Sequence, residues 1–192
     1  MKDYKNIEKY LDLLSKSIYS QKFCKDHIDS TNDTINLIEG SKFVLDVGSG
    51  DGYMLDLLKQ RGIRAIGLSM NDEDIDICRG KGYEMVKTDM SFLPFEDNTF
   101  DCVWACRVIE HSPMPLLTLM EFKRVVKPNG IIVLAIPDDV PALRNHQNHF
   151  SVFPRHTWHR FFNLAGLKLE VDSQHQIWDP NTIDYIFKLR KV

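Results

Sequence analysis

Short apolar runs alternate with helical segments along most of the chain after residue 42. The runs are FVLDVG, AIGLS, YEMVKTD, FDCVWAC and GIIVLAIP, and helical stretches such as YMLDLLKQR, DEDIDICRG and LLTLMEFKRVV separate most of them. Alternation of this kind predicts βαβ units, in which a parallel sheet carries helices on both faces. Pro115 falls in the first turn of the helix before the fifth run, and the turn KPNG follows that helix.

Two more strands are predicted near the C-terminus, LKLEVDSQHQI and TIDYIFKLR. They follow a helix, HTWHRFFNLAG, that ends at Gly166. The segment WDPN joins the two strands, and so short a connection makes neighbouring strands antiparallel. We therefore predict an α/β fold built on a doubly wound, mostly parallel seven-stranded sheet with a reversed last strand.

The residues before the sheet show helical spacing. The apolar positions Ile7, Tyr10, Leu11, Leu14 and Ile18 predict one amphipathic helix, and a second is predicted over residues 31–38. We divide the 192 residues into a helical extension or lid, residues 1–40, and a main domain, residues 41–192.

Composition and charge exclude some partners. A net charge of −3 and a pI near 6.2 argue against broad binding to nucleic acid or anionic membrane. The N-terminal MKDYKNIEKYLDLL carries charges throughout, so it predicts neither a signal peptide nor a membrane span. We expect a cytoplasmic protein. The four cysteines form no CxxC pair, and Cys102 and Cys106 share one face of a strand, which predicts buried thiols.

A glycine loop follows the first apolar strand. VLDVGSGDG places Gly48, Gly50 and Gly52 before a helix, where backbone N–H groups can approach a ligand. The pattern is GxGxG, not the GxGxxG of dinucleotide sites, and it has no phosphate-loop lysine. Alone it could be only a tight turn. The second strand ends 21 residues after Gly48, at Ser69, where such sheets bind a ribose, and Asp89 ends the next strand.

Three segments in this order resemble the class I S-adenosylmethionine-dependent methyltransferases, in particular the small-molecule group with the ubiquinone and menaquinone biosynthesis enzymes. The segments are VLDVGSGDG, TDMSFLPFEDNTFDCVWACRVIEH and EFKRVVKPNGIIVLAIPD, and the resemblance extends from Phe43 to Gly166. It implies a Rossmann-like methyltransferase fold, S-adenosylmethionine as cofactor and S-adenosylhomocysteine as product.

The resemblance also implies which residues hold the methionine part of the cofactor. These are Asp46 and the backbone of Gly48, Gly50 and Gly52, together with the carbonyl of Cys106, which would accept from the ammonium group.

On the adenosine side, the resemblance places Met70 against the adenine, the Asp89 carboxylate on its amino group and the Met90 N–H on a ring nitrogen. Ser69 departs from the family, which usually has Asp or Glu there to accept both ribose hydroxyls. Because charge-assisted hydrogen bonds are stronger than neutral ones, we expect binding weakened by about one order of magnitude. Asp72, Glu73 and Asp74 follow, either to cap the next helix or for one of them to reach back.

The candidate catalytic residues are His111 and His149. Methyl transfer is an in-line displacement, and it needs a base only if the acceptor must lose a proton. His111 in RVIEH could act as that base with Glu110 nearby, or the two could simply fix the loop. His149, in NHF, matches a recurrent position of the family.

Two HxxH pairs, His146 with His149 and His156 with His159, are weak evidence for zinc without a nearby cysteine, and we predict no metal. A solvated helix face shared with Arg155 and Arg160 explains His156 and His159.

The predicted function is S-adenosylmethionine-dependent methyl transfer to an oxygen or nitrogen of a small-molecule or sugar-like acceptor. The alternative, suggested by Ser69, is a non-catalytic cofactor-binding protein or degenerate methyltransferase homologue. An NAD-dependent oxidoreductase is disfavoured by the GxGxG pattern. Methylation of nucleic-acid bases is disfavoured because ACRVIEH replaces the Pro-Pro motif of amino-methylating enzymes and no Pro-Cys dipeptide occurs.

Overall fold

The computed structural model describes Lys9, residues 25–176 and residues 183–192. The strands are β1 (Phe43–Val47), β2 (Arg64–Ser69), β3 (Met85–Lys87), β4 (Phe100–Cys106), β5 (Val126–Pro137), β6 (Leu167–Gln176) and β7 (Ile183–Lys191). The helices are α1 (Lys25–Thr34), α2 (Tyr53–Gln60), α3 (Asp72–Gly80), α4 (Pro115–Val125), α5 (Pro141–Arg144) and α6 (Arg155–Leu164), with 3-10 turns at Ile35–Ile38 and Ile109–His111. Within the described ranges, no helix has the length and apolar character needed to cross a lipid bilayer.

The seven strands form one sheet in the order β3-β2-β1-β4-β5-β7-β6. All neighbouring strands pair in parallel except β7, which runs antiparallel to both β5 and β6. The predicted doubly wound sheet with a reversed last strand is therefore confirmed. The segment WDPN itself lies outside the described residues.

The strand pleat divides the core between the two faces of the sheet. In β1 and β4, Leu45 and Val103 face a cluster that includes Phe122 of α4 and Trp158 of α6. The alternate residues of the same strands face a second cluster with side chains of α2 and of the 3-10 turn after α1. Because both faces are covered, the central strands are apolar on both sides, which explains their continuous apolar runs.

The turn predicted at KPNG lies within strand β5. Phe100 pairs with Val126 and Cys102 pairs with Ile131, so the residues between Val126 and Ile131 bulge out of the ladder. Asn129 has φ 62, and a Cβ on Gly130 would lie 2.8 Å from the carbonyl oxygen of Lys127. The turn at KPNG was therefore predicted correctly, but strand β5 begins before this turn, at Val126, and not after it as the apolar run indicated.

The first predicted helix, over residues 7–18, lies outside the described residues apart from Lys9. The second, predicted over residues 31–38, is the end of α1 and the following 3-10 turn. This segment is attached to the sheet by its polar side chains: Trp104 Nε1 donates to Thr34 Oγ1 at 2.9 Å, and Ser30 Oγ donates to Asp184 at 2.6 Å. The described part of the N-terminal extension thus packs on the main domain.

Helix α6 begins and ends close to the predicted positions. Gly166, with φ 65, terminates it as predicted. His156 and Arg160 are exposed, but the solvated face does not extend to Arg155 and His159, which both reach Asp172 of β6. Cys78 and Cys102 are buried free thiols, as predicted for Cys102, whereas Cys106 is partly exposed.

Gly67 lets β2 approach the glycine loop. A Cβ at this position would lie 2.6 Å from Ser49 Oγ and would also overlap the sulfur of Met85. Ser49 Oγ donates to the Asp46 carbonyl and accepts from the Leu68 N–H, so it needs this space. Glycine in the middle of a strand usually marks such a close approach.

We therefore expect Gly67→Ala to lower the free energy of unfolding by about 1–3 kcal/mol, because overpacking displaces Ser49. The matched control is Gly80→Ala, where the structure has no described atom within 4 Å of the added Cβ. Urea denaturation checks both variants. Equal stability of Gly67→Ala and wild type would mean that the loop does not depend on this close approach.

Candidate functional site

The loop between β1 and α2 is built from left-handed glycines. Gly48, Gly50 and Gly52 have φ angles of 76°, 51° and 89°, a region that side chains rarely adopt. A Cβ on Gly48 would lie 2.6 Å from Cγ2 of Val108, which follows β4. The loop therefore packs between the C-terminal ends of β1 and β4, where the strand order reverses and α/β sheets bind ligands.

Asp46 is the most unusual group at this point. It is 0% exposed, and neither carboxylate oxygen has a hydrogen-bond partner among the described residues. Burial raises the pKa of Asp46 to about 7, and the nearby Ser49 hydroxyl donates to the backbone carbonyl of Asp46 and not to its carboxylate. Buried polar groups in native proteins nearly always have partners, so an orphaned carboxylate beside a glycine loop fits a site for a cationic or hydrogen-bond-donating ligand.

Ser69, the last residue of β2, lies at the same edge of the sheet and is 6% exposed. Its hydroxyl donates to Asp74 Oδ2 at 3.1 Å and accepts from the Asn71 N–H at 3.0 Å. Asn71 caps α3, because its Oδ1 accepts from the N–H groups of Glu73 and Asp74. One acid of the first turn therefore does reach back to the end of β2.

Asp89 follows β3 and completes the row of strand ends. It is buried, and its Oδ1 accepts from the Ser91 N–H at 2.7 Å. Burial raises the pKa of Asp89, and the hydrogen bonds from Ser91 lower it. Met70 and Met90, which directly follow Ser69 and Asp89 in sequence, are both half-buried.

Strand β4 ends at Cys106, and the next residue carries a charge. Arg107 has φ 50 and forms an ion pair with Asp184 of β7, at 2.7 Å from Nη1 to Oδ1. Its N–H donates to the Ala135 carbonyl of β5. This left-handed residue ends the β4 ladder and turns the chain toward the 3-10 turn that contains Glu110 and His111.

The two candidate catalytic histidines come together although 37 residues separate His111 from Asn148, the neighbour of His149. The ring centroids of His111 and His149 lie 4.9 Å apart. His111 Nδ1 lies 2.8 Å from the Asn148 carbonyl oxygen, and His149 Nδ1 lies 2.8 Å from that of Leu143. Since a carbonyl oxygen only accepts, each Nδ1 carries the hydrogen and each Nε2 is the nitrogen that can take a proton.

Burial and, after it, nearby His111 lower the pKa of His149 to about 4, opposed by the hydrogen bond to the Leu143 carbonyl. His149 is therefore a neutral imidazole near pH 7. Glu110 is 1% exposed, and its Oε2 has no hydrogen-bond partner in the described part of the chain. Burial raises the pKa of Glu110, opposed by His111 and Arg107. The ligand atoms of Glu110, His111 and His149 lie within 4.8 Å of one another, a spacing that a metal ion could also use.

Sequence reasoning missed several groups that position the site. Ser49, inside the glycine loop, links β1 to β2, and Gly67 makes room for it. A buried hydroxyl cluster joins Ser91, after Asp89, to Ser112 and Thr118 on the acceptor side. The glycine within AIGLS was a visible signal for close approach, but the hydroxyl cluster had none, because its members are far apart in sequence.

Comparison with known proteins shows similarity to methyltransferases. Residues 45–134 match the family model described as a methyltransferase domain. A stretch of 97 residues, 46% of this chain, is 37% identical to the sterol 24-C-methyltransferase erg6 of Schizosaccharomyces pombe, and this covers 26% of that protein. The first curated relatives are matched over 26–39% of their own length.

Solved structures share the fold at low sequence identity. A methyltransferase in complex with the activator Trm112 from Haloferax volcanii has a TM-score of 0.75 at 20% identity, covering 84% of this chain and 89% of that one. The 1,6-didemethyltoxoflavin-N1-methyltransferase of Burkholderia thailandensis, with bound S-adenosylhomocysteine, has 0.72 at 15%, covering 88% and 79%. The cyclase SpnF has 0.72 at 17%, covering 98% and 93%.

The seven-stranded sheet with its reversed strand and the glycine loop at the strand reversal together match the class I methyltransferase fold. Residues 45–134 match a methyltransferase domain, and a solved structure with this fold from Archaeoglobus fulgidus is described as an S-adenosylmethionine-dependent methyltransferase. The residues present fit S-adenosylmethionine, because the orphaned Asp46 carboxylate suits its cationic methionine end.

Asp46→Asn should stabilise the protein in the absence of ligand while weakening the site. A carboxyl whose pKa is raised on folding holds its proton longer in the folded state, so stability falls as pH rises from about 4 to about 7. We expect the variant to gain about 1–3 kcal/mol at pH 8 and little at pH 4.

Thermal unfolding across that pH range measures the effect, with Asp76→Asn, at an exposed position of α3, as control. A loss of stability in Asp46→Asn at pH 8 would mean that its carboxylate is satisfied within the protein, and the assignment to a ligand site would be withdrawn.

Proposed function

We propose that this protein catalyses S-adenosylmethionine-dependent methyl transfer to an oxygen or nitrogen of a small-molecule or sugar-like acceptor. The observation that carries the proposal is the buried, orphaned Asp46 beside a left-handed glycine loop, at the point where the strand order reverses. The protein acts in the cytoplasm in this proposal, with no nucleic-acid or membrane partner.

Each strand end supplies one part of the cofactor site. Asp46, the glycine loop and the Cys106 carbonyl bind the methionine part, and S-adenosylmethionine, when bound, supplies an electrophilic methyl group. Asp89 accepts from the adenine amino group through Oδ2, since Oδ1 is already used by Ser91. The Met90 N–H donates to a ring nitrogen, and the Met70 side chain packs on the ring.

The histidine pair faces the acceptor side. His111 takes the acceptor's proton on Nε2. Its Nδ1 carries the ring hydrogen and donates it to the Asn148 carbonyl, so Nε2 is the basic nitrogen. His149, with its pKa lowered to about 4, stays neutral near pH 7 and positions His111 by contact between the two rings. Exclusion of water and alignment of the acceptor with the methyl group supply the rest of the rate acceleration, as in other in-line displacements.

The relatives named above act on a sterol carbon and on a toxoflavin nitrogen, and this chain spans about a quarter of the first of them. In our proposal, residues 1–40 form an extension that covers the acceptor side. The support is that Ser30 of α1 bonds to Asp184, which also binds Arg107 beside the site.

A second candidate is a cofactor-binding homologue that does not transfer methyl groups. One observation favours it: a structural neighbour with this fold is described as a cyclase, not as a methyltransferase. Ser69 in place of the usual acid is compatible with either candidate.

Calorimetric titration with S-adenosylhomocysteine tests whether the protein binds the cofactor product, as both candidate functions require. We expect micromolar affinity, and Asp89→Ala should weaken it about tenfold by removing one hydrogen bond to the adenine. Asp76→Ala is the matched control, since Asp76 is exposed on α3. Mass spectrometry then detects S-adenosylhomocysteine formed with a panel of phenols, amines and sugars. Tight binding without turnover of any acceptor would favour the homologue, and no binding would refute both.

For an acceptor found in that panel, His111→Asn should lower kcat by about 10²–10⁴-fold, a typical contribution of a general base. The affinity for S-adenosylhomocysteine should stay unchanged, because His111 lies on the acceptor side. His156→Asn, on the exposed face of α6, is the control. The assay is repeated with a chelator, and a loss of activity there would indicate a metal at the histidine pair. Unchanged kcat in His111→Asn would rule out its role as base.

A further inference from the structure

Ser69 raises the question of what holds the ribose. A serine hydroxyl offers one hydrogen and two lone pairs. In this structure its hydrogen is donated to Asp74 and one lone pair accepts from the Asn71 N–H. Ser69 therefore retains at most one lone pair for a ligand and cannot accept from two ribose hydroxyls, as the carboxylate usual in this family does.

The three acids at the start of α3 differ in their surroundings. Asp72 forms an ion pair with Lys87, 2.6 Å from Nζ to Oδ1, and Glu73 is exposed. Asp74 is half-buried, and its Oδ2 accepts from the Ser69 hydroxyl. Only one of the three, Asp74, has its carboxylate held at the end of β2, and its Oδ1 makes no hydrogen bond to the described residues.

Capping does not account for Asp74. An acid at the third position of a helix commonly accepts from the N–H of the capping residue. Here the Asn71 N–H donates to Ser69 instead, and Asn71 Oδ1 satisfies the N–H groups of Glu73 and Asp74. The cap is complete without the Asp74 carboxylate, which is held instead by the Ser69 hydroxyl at the end of β2.

Asp74 and Asp46 both lie near the Cys78 thiol. Burial, followed by nearby carboxylates that include Asp46 and Asp74, raises the pKa of the Cys78 thiol to about 11, and the Cys78 thiol donates to the Gly50 carbonyl at 3.4 Å. The orphaned carboxylate of Asp46 is independent evidence that this crevice takes a polar ligand.

We propose that Asp74, held by Ser69, replaces the missing carboxylate of β2 and accepts hydrogen bonds from the ribose hydroxyls of the cofactor. The acid of the family is thereby moved from the end of the strand to the first turn of the next helix. The inference rests on the proposed function, because it requires an adenosine-containing cofactor in the crevice.

The first test is calorimetric titration with S-adenosylhomocysteine on the full chain. Asp74→Asn should weaken binding about 10–100-fold, the loss typical of charge-assisted hydrogen bonds. Glu73→Gln removes the same charge from the same helical turn without facing the crevice, and it should change the affinity by less than threefold. Circular dichroism and the Tm of each variant show that it folds.

A ligand change separates ribose binding from a structural role. Wild type should bind the 2′- or the 3′-deoxyribose analogue of S-adenosylhomocysteine at least about tenfold more weakly than the parent compound. In Asp74→Asn this difference should shrink to less than threefold, because the carboxylate that reads the hydroxyl is gone. A residue that merely stabilises α3 would weaken all three ligands by the same factor.

A carboxylate swap gives the reciprocal test. Ser69→Asp alone places two carboxylates together and should not strengthen binding. Ser69→Asp combined with Asp74→Ser restores the arrangement usual in the family, and it should bind S-adenosylhomocysteine within about threefold of wild type or more tightly.

The outcomes are distinguishable. If wild type does not bind S-adenosylhomocysteine, the proposed function and this inference fail together. If wild type binds but Asp74→Asn binds equally well, or if both proteins discriminate equally against the deoxyribose analogues, the inference about Asp74 alone is overturned.

Discussion

The hydroxyl of Ser49 is the contact on which the cofactor crevice depends. It donates to the Asp46 carbonyl of β1 and accepts from the Leu68 N–H of β2, while Gly48 N–H and Ser49 N–H both donate to the Leu68 carbonyl. These bonds tie the glycine loop to the end of the neighbouring strand. Because Ser69 is the next residue, the same bonds fix the start of α3, where we propose that the ribose binds.

The ligand-free fold bears a cost at this point. Three glycines in the loop are left-handed, and Asp46 is buried without a partner among the described residues. Glycine adopts the left-handed region without strain, but a buried carboxylate without a partner opposes folding, and such groups in native proteins call for a functional explanation. A cationic ligand would supply the missing partner and lower the pKa of Asp46, which couples binding to release of a proton at pH below about 7.

The sequence predicted what depends on local pattern. Alternating strands and helices, the glycine loop and the short WDPN connection each carry their own signal, and they were sufficient for the sheet and its reversed strand. Contacts between distant residues were not predictable. His111 meets His149 only because the loops after β4 and β5 bond to each other, through Phe150 and Ser151 N–H groups on the Glu110 carbonyl. The role proposed for Asp74 depends on its hydrogen bond with the Ser69 hydroxyl. The sequence could not single out Asp74, because Asp72, Glu73 and Asp74 form a run of equivalent acids.

The reversed strand explains how the acceptor side is held together. Because β7 runs opposite to β4 and β5, its first residues lie at the edge where those strands end, and Asp184 pairs with Pro137 at the end of β5. A carboxylate at the start of β7 can therefore reach Arg107, just beyond β4, and bind Ser30 of α1 at the same time. A parallel strand at this position would begin at the opposite edge of the sheet. The antiparallel strand thus joins helix α1 and the end of β4 through one buried ion pair, which fixes both to the core of the sheet.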